Sequence, residues 1–75
     1  MVKPDLRDVL ADNVVAFRRR TKVSQDEFAA MCGLHRTYVG AIERKERNVT
    51  LATLELLADA IGCSASELLK RGGVK

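Results

Sequence analysis

Ser24-Gln25-Asp26-Glu27-Phe28-Ala29-Ala30-Met31-Cys32-Gly33-Leu34-His35-Arg36-Thr37-Tyr38-Val39-Gly40-Ala41-Ile42-Glu43-Arg44 reads as two short helices joined by a tight turn. Ser24 followed by Glu27 is a capping box: the hydroxyl accepts from the Glu27 amide and the carboxylate reaches back to the Ser24 amide. Phe28, Ala29 and Cys32 then mark the inward side of the first helix, with Ala29 small where the two helices cross. Gly33 ends that helix, since a residue without a Cβ enters the left-handed conformation freely. The second helix runs from Arg36 to about Arg44, and Leu34, Val39 and Ile42 are its apolar contacts with the rest of the chain.

Working outward, the same punctuation recurs. Asp5 can cap a helix reaching about Arg20, with Leu6, Leu10, Val14 and Phe17 on one stripe. Lys22-Val23 is a short connection, and Lys45 to Val49 form a polar loop. Thr50 caps a fourth helix ending at Gly62, whose core stripe is Leu51, Leu54, Leu57, Ala58 and Ile61. Ser64-Ala65-Ser66-Glu67 is a second capping box, opening a short fifth helix that ends at Gly72. Strand-like alternation and internal repeats are absent. The expected fold is all-α, a compact five-helix arrangement in which residues 1–75 form one domain.

A chain of 75 residues buries a small core and calls for reinforcement by disulfides, a metal or a partner subunit. Cys32 and Cys63 are too few for a secreted disulfide framework. Cys32-x-x-His35 has ligand-like spacing and Cys63 could add a third ligand, but structural zinc takes four. Buried free thiols are therefore expected, with no metal and no cofactor, and a second copy of the chain is the reinforcement that remains. No apolar run approaches the roughly 20 residues of a membrane span. Met1-Val2-Lys3-Pro4-Asp5 leads into polar residues rather than an apolar signal segment, so a cytoplasmic protein is expected. An enzyme is disfavoured by a single histidine, the lack of a histidine–carboxylate–nucleophile set and the lack of a glycine-rich phosphate loop.

Charge and helical geometry point instead to nucleic acid. Arg18 to Arg47 carry eight basic residues against four acidic, whereas the rest of the chain has five against six. A merely solvated basic surface would look similar. The second helix of the pair is more telling. At about 100° per residue from Arg36, Thr37, Gly40, Ala41 and Arg44 fall within about 40–140°, and Val39, Ile42 and Glu43 lie opposite. A mid-helix glycine costs ~1 kcal/mol relative to alanine. Small residues flanked by Arg36 and Arg44 make sense on a face that must approach something closely. The major groove admits a helix, arginine can pair with guanine through two hydrogen bonds, and a threonine methyl can meet that of thymine. Alternatively, Gly40 relieves packing against the preceding helix.

From Val23 to Leu69 the chain resembles the lambda-repressor-like (Xre) helix-turn-helix family. The resemblance rests on Ser24-Gln25, Gly33-Leu34, Tyr38-Val39, Ile42-Glu43-Arg44, Arg47-Asn48, Leu54, Leu57-Ala58 and Ile61-Gly62. Arg36-Thr37-Tyr38-Val39-Gly40 and Glu43-Arg44-x-x-Arg47-Asn48-Val49-Thr50 are similar to the controller proteins of restriction–modification systems. The resemblance implies a phosphate contact for Gln25 beside Ser24, and base reading by Arg36 and Thr37. It implies that Tyr38, Arg47 and Asn48 hold the DNA backbone or the adjoining loop. It also implies a structural ion pair between Arg18 and Glu43, which would explain the one charge on the apolar arc. His35 departs from the family, which usually has Ser, Thr or Asp at this cap; histidine caps poorly and could reach a phosphate or base instead.

A second apolar arc on the fourth helix, Leu56 and Ala60 with Thr53, has nowhere to be buried within one chain. The family pairs through its fourth and fifth helices and the loop before them, which implies Val49, Leu56, Ala60 and Leu69 as homodimer contacts. The expected partners are double-stranded DNA with a pseudo-palindromic operator, a second copy of the chain and RNA polymerase. The expected function is that of a DNA-binding transcriptional regulator of the controller type, acting on its own promoter. A phage-type repressor and an antitoxin-like interaction module are the alternatives. The first would often carry a further domain, and the second a partner-binding tail where only Gly72-Gly73-Val74-Lys75 follow the last helix.

Overall fold

The computed structural model describes residues 5–74. Helices α1 (Leu6–Thr21), α2 (Gln25–Cys32), α3 (Arg36–Glu43), α4 (Leu51–Ile61) and α5 (Ala65–Leu68) follow one another in chain order. No strand occurs among the described residues. Each helix starts on a side chain that satisfies an otherwise unpaired amide. The Asp5 carboxylate accepts from Arg7 N at 2.9 Å, and the Thr50 hydroxyl from Thr53 N at 3.1 Å. Both capping boxes close, Ser24 with Glu27 and Ser64 with Glu67.

The core lies where all five helices converge, on Val14, Phe28, Val39, Ile42, Leu57 and Leu68. The Phe17 and Phe28 rings meet at 5.6 Å between centroids, tilted by 52°. That contact joins α1 to the start of the α2–α3 pair. Gly33, at φ +70°, turns the chain between them, and its amide bonds back to the last turn of α2. The long α1 thus forms a rigid back against which α3 is held.

Two expectations needed correction. Leu6 and Leu51 were placed on core stripes, but they are 57% and 79% exposed, and Ile61 is only partly buried. Both leucines open their helices, so the side chains project beyond the neighbouring element. The fifth helix stops at Leu68, not near Gly72. Its end is taken over by Asn13, the buried polar side chain of α1, whose Nδ2 donates to the carbonyls of Leu68 at 2.7 Å and Lys70 at 2.9 Å. Turns follow, and a Cβ on Gly73 would lie 1.9 Å from the Glu67 carbonyl oxygen, so only glycine fits there. They bring Val74 into the core.

Candidate nucleic-acid interface

Helix α3 has one face in the core and one open. Val39 and Ile42 are buried, whereas Arg36 and Thr37 are exposed beside the first turn of α2. Gln25, Arg36, Thr37, Gly40 and Arg44 line a shallow depression with Gly40 as its floor. A Cβ on Gly40 would meet Arg44 Nη1 at 3.1 Å and Gln25 Oε1 at 3.6 Å. The missing side chain therefore lets the Arg44 guanidinium lie across the helix. Gly40 was expected on the open face, but it is buried beneath the Arg44 guanidinium and the Gln25 amide, so the space it leaves is shared with α2. Ala41 was expected on the open face and is instead buried, on a helix that packs against both α1 and α2.

His35 caps α3 after all. Its Nδ1 accepts from Thr37 N at 3.1 Å, which places the ring N–H at Nε2. The capping geometry of an aspartate is reproduced by an imidazole. Cys32 sits in the core, where burial pushes its thiol up to about 11. Cys63 is half-buried, its thiol raised by burial and by the Glu67 charge. Among the described residues no three potential ligands gather around one point.

Beyond α3 the chain turns at Lys45, in the left-handed region at φ +67°, and Glu46 N bonds back to the Ala41 carbonyl at 3.0 Å. This cap is made without the usual glycine, as is the one at Lys22 after α1, so neither was visible in the sequence. It returns Arg47 over the Tyr38 ring, 5.1 Å from the centroid. The stacking orders the guanidinium at the edge of the open face. Asn48 is exposed next to it, and Ser24 is occupied by its capping box.

Arg18 and Glu43 meet in a two-pronged pair, both hydrogen bonds 2.6 Å long. Only 20% of the arginine and 8% of the glutamate side-chain surface remain exposed. Burial pushes the Glu43 carboxyl up, but the hydrogen bonds from Arg18 and Gln25 outweigh it and leave the group below its ordinary value. The Arg18 guanidinium is raised by the Glu43 hydrogen bond and also donates to the Val23 carbonyl. Gln25 Nε2 donates to Glu43 Oε1 at 2.9 Å, which fixes the amide orientation and turns Oε1 toward the Gly40 depression. One chain of contacts therefore runs from α1 through α3 to the first residue of α2.

The profile of the helix-turn-helix family matches residues 16–68, which include both helices of this unit. The chain belongs to the helix-turn-helix family. Within the family it is 51% identical over 71 residues to the control protein C.SmaI of Serratia marcescens, covering 95% of this chain and 84% of that protein. Its fold superposes on the crystal structure of the hypothetical transcription factor NHTF from Neisseria with a TM-score of 0.84. That match has 48% identity and covers 91% of this chain and 80% of the other. The restriction–modification controller protein C.AhdI from Aeromonas hydrophila superposes with a TM-score of 0.76 at 34% identity, over 83% of this chain and 94% of that one. The resemblance to controller proteins and the all-helical expectation are both borne out. This helix-turn-helix protein is a DNA-binding transcription regulator. No described helix is long and apolar enough to cross a membrane.

The residues expected to pair two copies do not form one surface. Val49 and Leu69 line an apolar groove with Leu6, Leu10, Leu51 and Leu54, bordered by Arg7, Arg47 and Asn48. Leu56 is 44% exposed and Ala60 half-buried; at about 100° per residue they lie 140–180° around α4 from Leu51. Exposed leucines at 6 and 51, assigned to the core from the sequence, are the largest part of the groove that sequence reasoning missed. Asp26 and Glu46, which stand beside Arg36 and Arg44, were missed as well. Proximity in a turn of unforeseen shape, and across two helices, joins each acid to its arginine.

Proposed function

We propose that this protein is a dimeric controller of a restriction–modification system that reads a pseudo-palindromic operator upstream of its own gene. The observation that carries the reading is the open face of α3, where Arg36 and Thr37 border a floor made by Gly40. Laid in the major groove, that floor admits the base edges, with Arg36 for guanine and the Thr37 methyl for thymine. Gln25 keeps one amide proton for a phosphate after serving Glu43. Arg47, stacked on Tyr38, and neighbouring Asn48 serve the backbone on the same side, and the His35 Nε2–H adds a donor at the α3 N-terminus. Two copies joined through the Leu6–Leu51 groove would set two α3 helices about one DNA turn apart. The groove is small, so a dissociation constant nearer micromolar than picomolar follows, and occupancy then rises steeply as protein accumulates. Such a regulator works in the cytoplasm, on promoters that RNA polymerase uses.

Selection of sites from random duplexes, followed by a search upstream of the gene, tests the reading. A two-fold site found there supports it, and an upstream region without one overturns the autoregulatory role. Sedimentation equilibrium tests the dimer. Leu51→Glu should leave a folded monomer with weakened operator binding, and a variant that dimerises as the parent does would remove the groove from the interface.

A further inference from the structure

Both arginines on the open face of α3 stand beside an acid. Arg36 Nε lies 3.7 Å from Asp26 Oδ1, and Arg44 Nη2 lies 3.2 Å from Glu46 Oε1. All four side chains are exposed. A carboxylate on a surface that meets phosphate opposes binding, and two of them flank this one. Local structure accounts for part of this. Asp26 in the first turn of α2 favours the helix dipole, which needs no arginine. Glu46 has no such role, since it lies beyond the end of α3, held there by its amide on the Ala41 carbonyl. Arg47, by contrast, stacks on an uncharged ring.

We propose that Asp26 and Glu46 set DNA specificity by holding Arg36 and Arg44 as neutralised pairs in the free protein, so that only well-placed base acceptors draw them out. The inference rests on the DNA-binding reading above. Random DNA attracts a protein mainly through phosphates that its cations neutralise, with release of counterions. An arginine already facing a carboxylate gains less from a phosphate, and the carboxylate itself is repelled. Guanine N7 and O6 offer two aligned acceptors, a stronger inducement. Exposed pairs are weak and open at little cost, so the operator is not penalised to the same degree. The acids thus act on the competition between sites rather than on the best site.

The experiment measures affinity for a selected operator and for a random duplex, across a salt series, with Asp26→Asn, Glu46→Gln, the double variant and Asp59→Asn. Asp59 is an exposed acid on α4 and gives the same change of net charge away from the open face. Asp26→Asn and Glu46→Gln should each raise affinity for random DNA by about three- to tenfold and steepen its salt dependence, with operator affinity within about twofold. The specificity ratio falls accordingly, further in the double variant, with thermal stability unchanged in Glu46→Gln and slightly lowered in Asp26→Asn by the lost helix-dipole contact. Equal gains on both DNAs, unchanged affinity for random DNA, or the same gain from Asp59→Asn would overturn the inference. A parent protein that prefers no selected site over random DNA would overturn the DNA-reading assignment itself. A parent with clear preference and variants that keep it would remove only the role of the acids.

Discussion

On one side of α3, Arg18 grips Glu43 through two hydrogen bonds of 2.6 Å, with 20% and 8% of the side-chain surfaces exposed. On the other, Arg36 and Asp26 stand 3.7 Å apart, 70% and 66% exposed. The chemistry is the same and the burial is not. Inside, both charges have lost water, so each depends on the other and the pair ties α1 to α3. Outside, water competes for both partners, and the arginine stays available to another acceptor. One helix thus carries a pair that is costly to open and a pair that opens easily.

Breaking the inner pair should have the largest effect. Glu43→Gln leaves Arg18 without its counter-charge and should cost about 3 kcal/mol in urea unfolding, discounted for the exposed part of the arginine. The pH dependence sharpens the point. The Glu43 carboxyl lies below its ordinary value of 4.5 in the folded protein, so its contribution is complete above that value and lost as pH falls through the lower folded one. The parent should therefore lose stability on acidification more steeply than Glu43→Gln. Parallel curves would show that the pair contributes nothing.

Removing the outer arginine should move binding and leave folding alone. Arg36→Ala is expected to lose about 1–3 kcal/mol on the preferred site and to relax choice at one base position, with an unchanged melting curve. Uniform loss across sequences would turn Arg36 into a phosphate contact. Arg47→Ala should show that uniform pattern, weakening all duplexes alike and reducing the salt slope by about one.

Gly40→Ala gives the smallest and most discriminating effect. A methyl here gains up to about 1 kcal/mol of helix stability. It also meets Arg44 Nη1 at 3.1 Å, and the flexible end of that side chain can yield. The melting temperature should rise by a few degrees while operator affinity drops. A variant that melts lower would show that the floor of the depression has no room, and one that binds DNA as well as the parent would show that the floor is not approached.

The sequence was informative wherever a residue acts on its own neighbours. Asp5, Ser24, Thr50 and Ser64 announce helix starts because a cap needs only a side chain and the amides two or three residues on. Gly33, Val39 and Ile42 likewise place the turn and the buried side of α3, and the run from Val23 to Leu69 carries the family. The open face was legible at Arg36, Thr37 and Arg44, where periodicity sets direction, although Gly40 between them is buried beneath the Arg44 guanidinium. It failed at Ala41, since a helical wheel gives an angle but not how far a neighbouring helix reaches.

Tertiary structure decided what depends on distance through space. Leu6 and Leu51 have the spacing of core residues, yet both lie at helix starts with no element above them, so two leucines join a surface groove. Asn13 reads as a polar interruption of α1, and only packing shows its amide holding the carbonyls that end α5, 55 and 57 residues away. Asp26 and Arg36 sit ten positions apart and meet because α2 crosses α3. Local hydrogen bonds and periodic burial are written in consecutive residues, whereas contacts between elements depend on how the whole core packs.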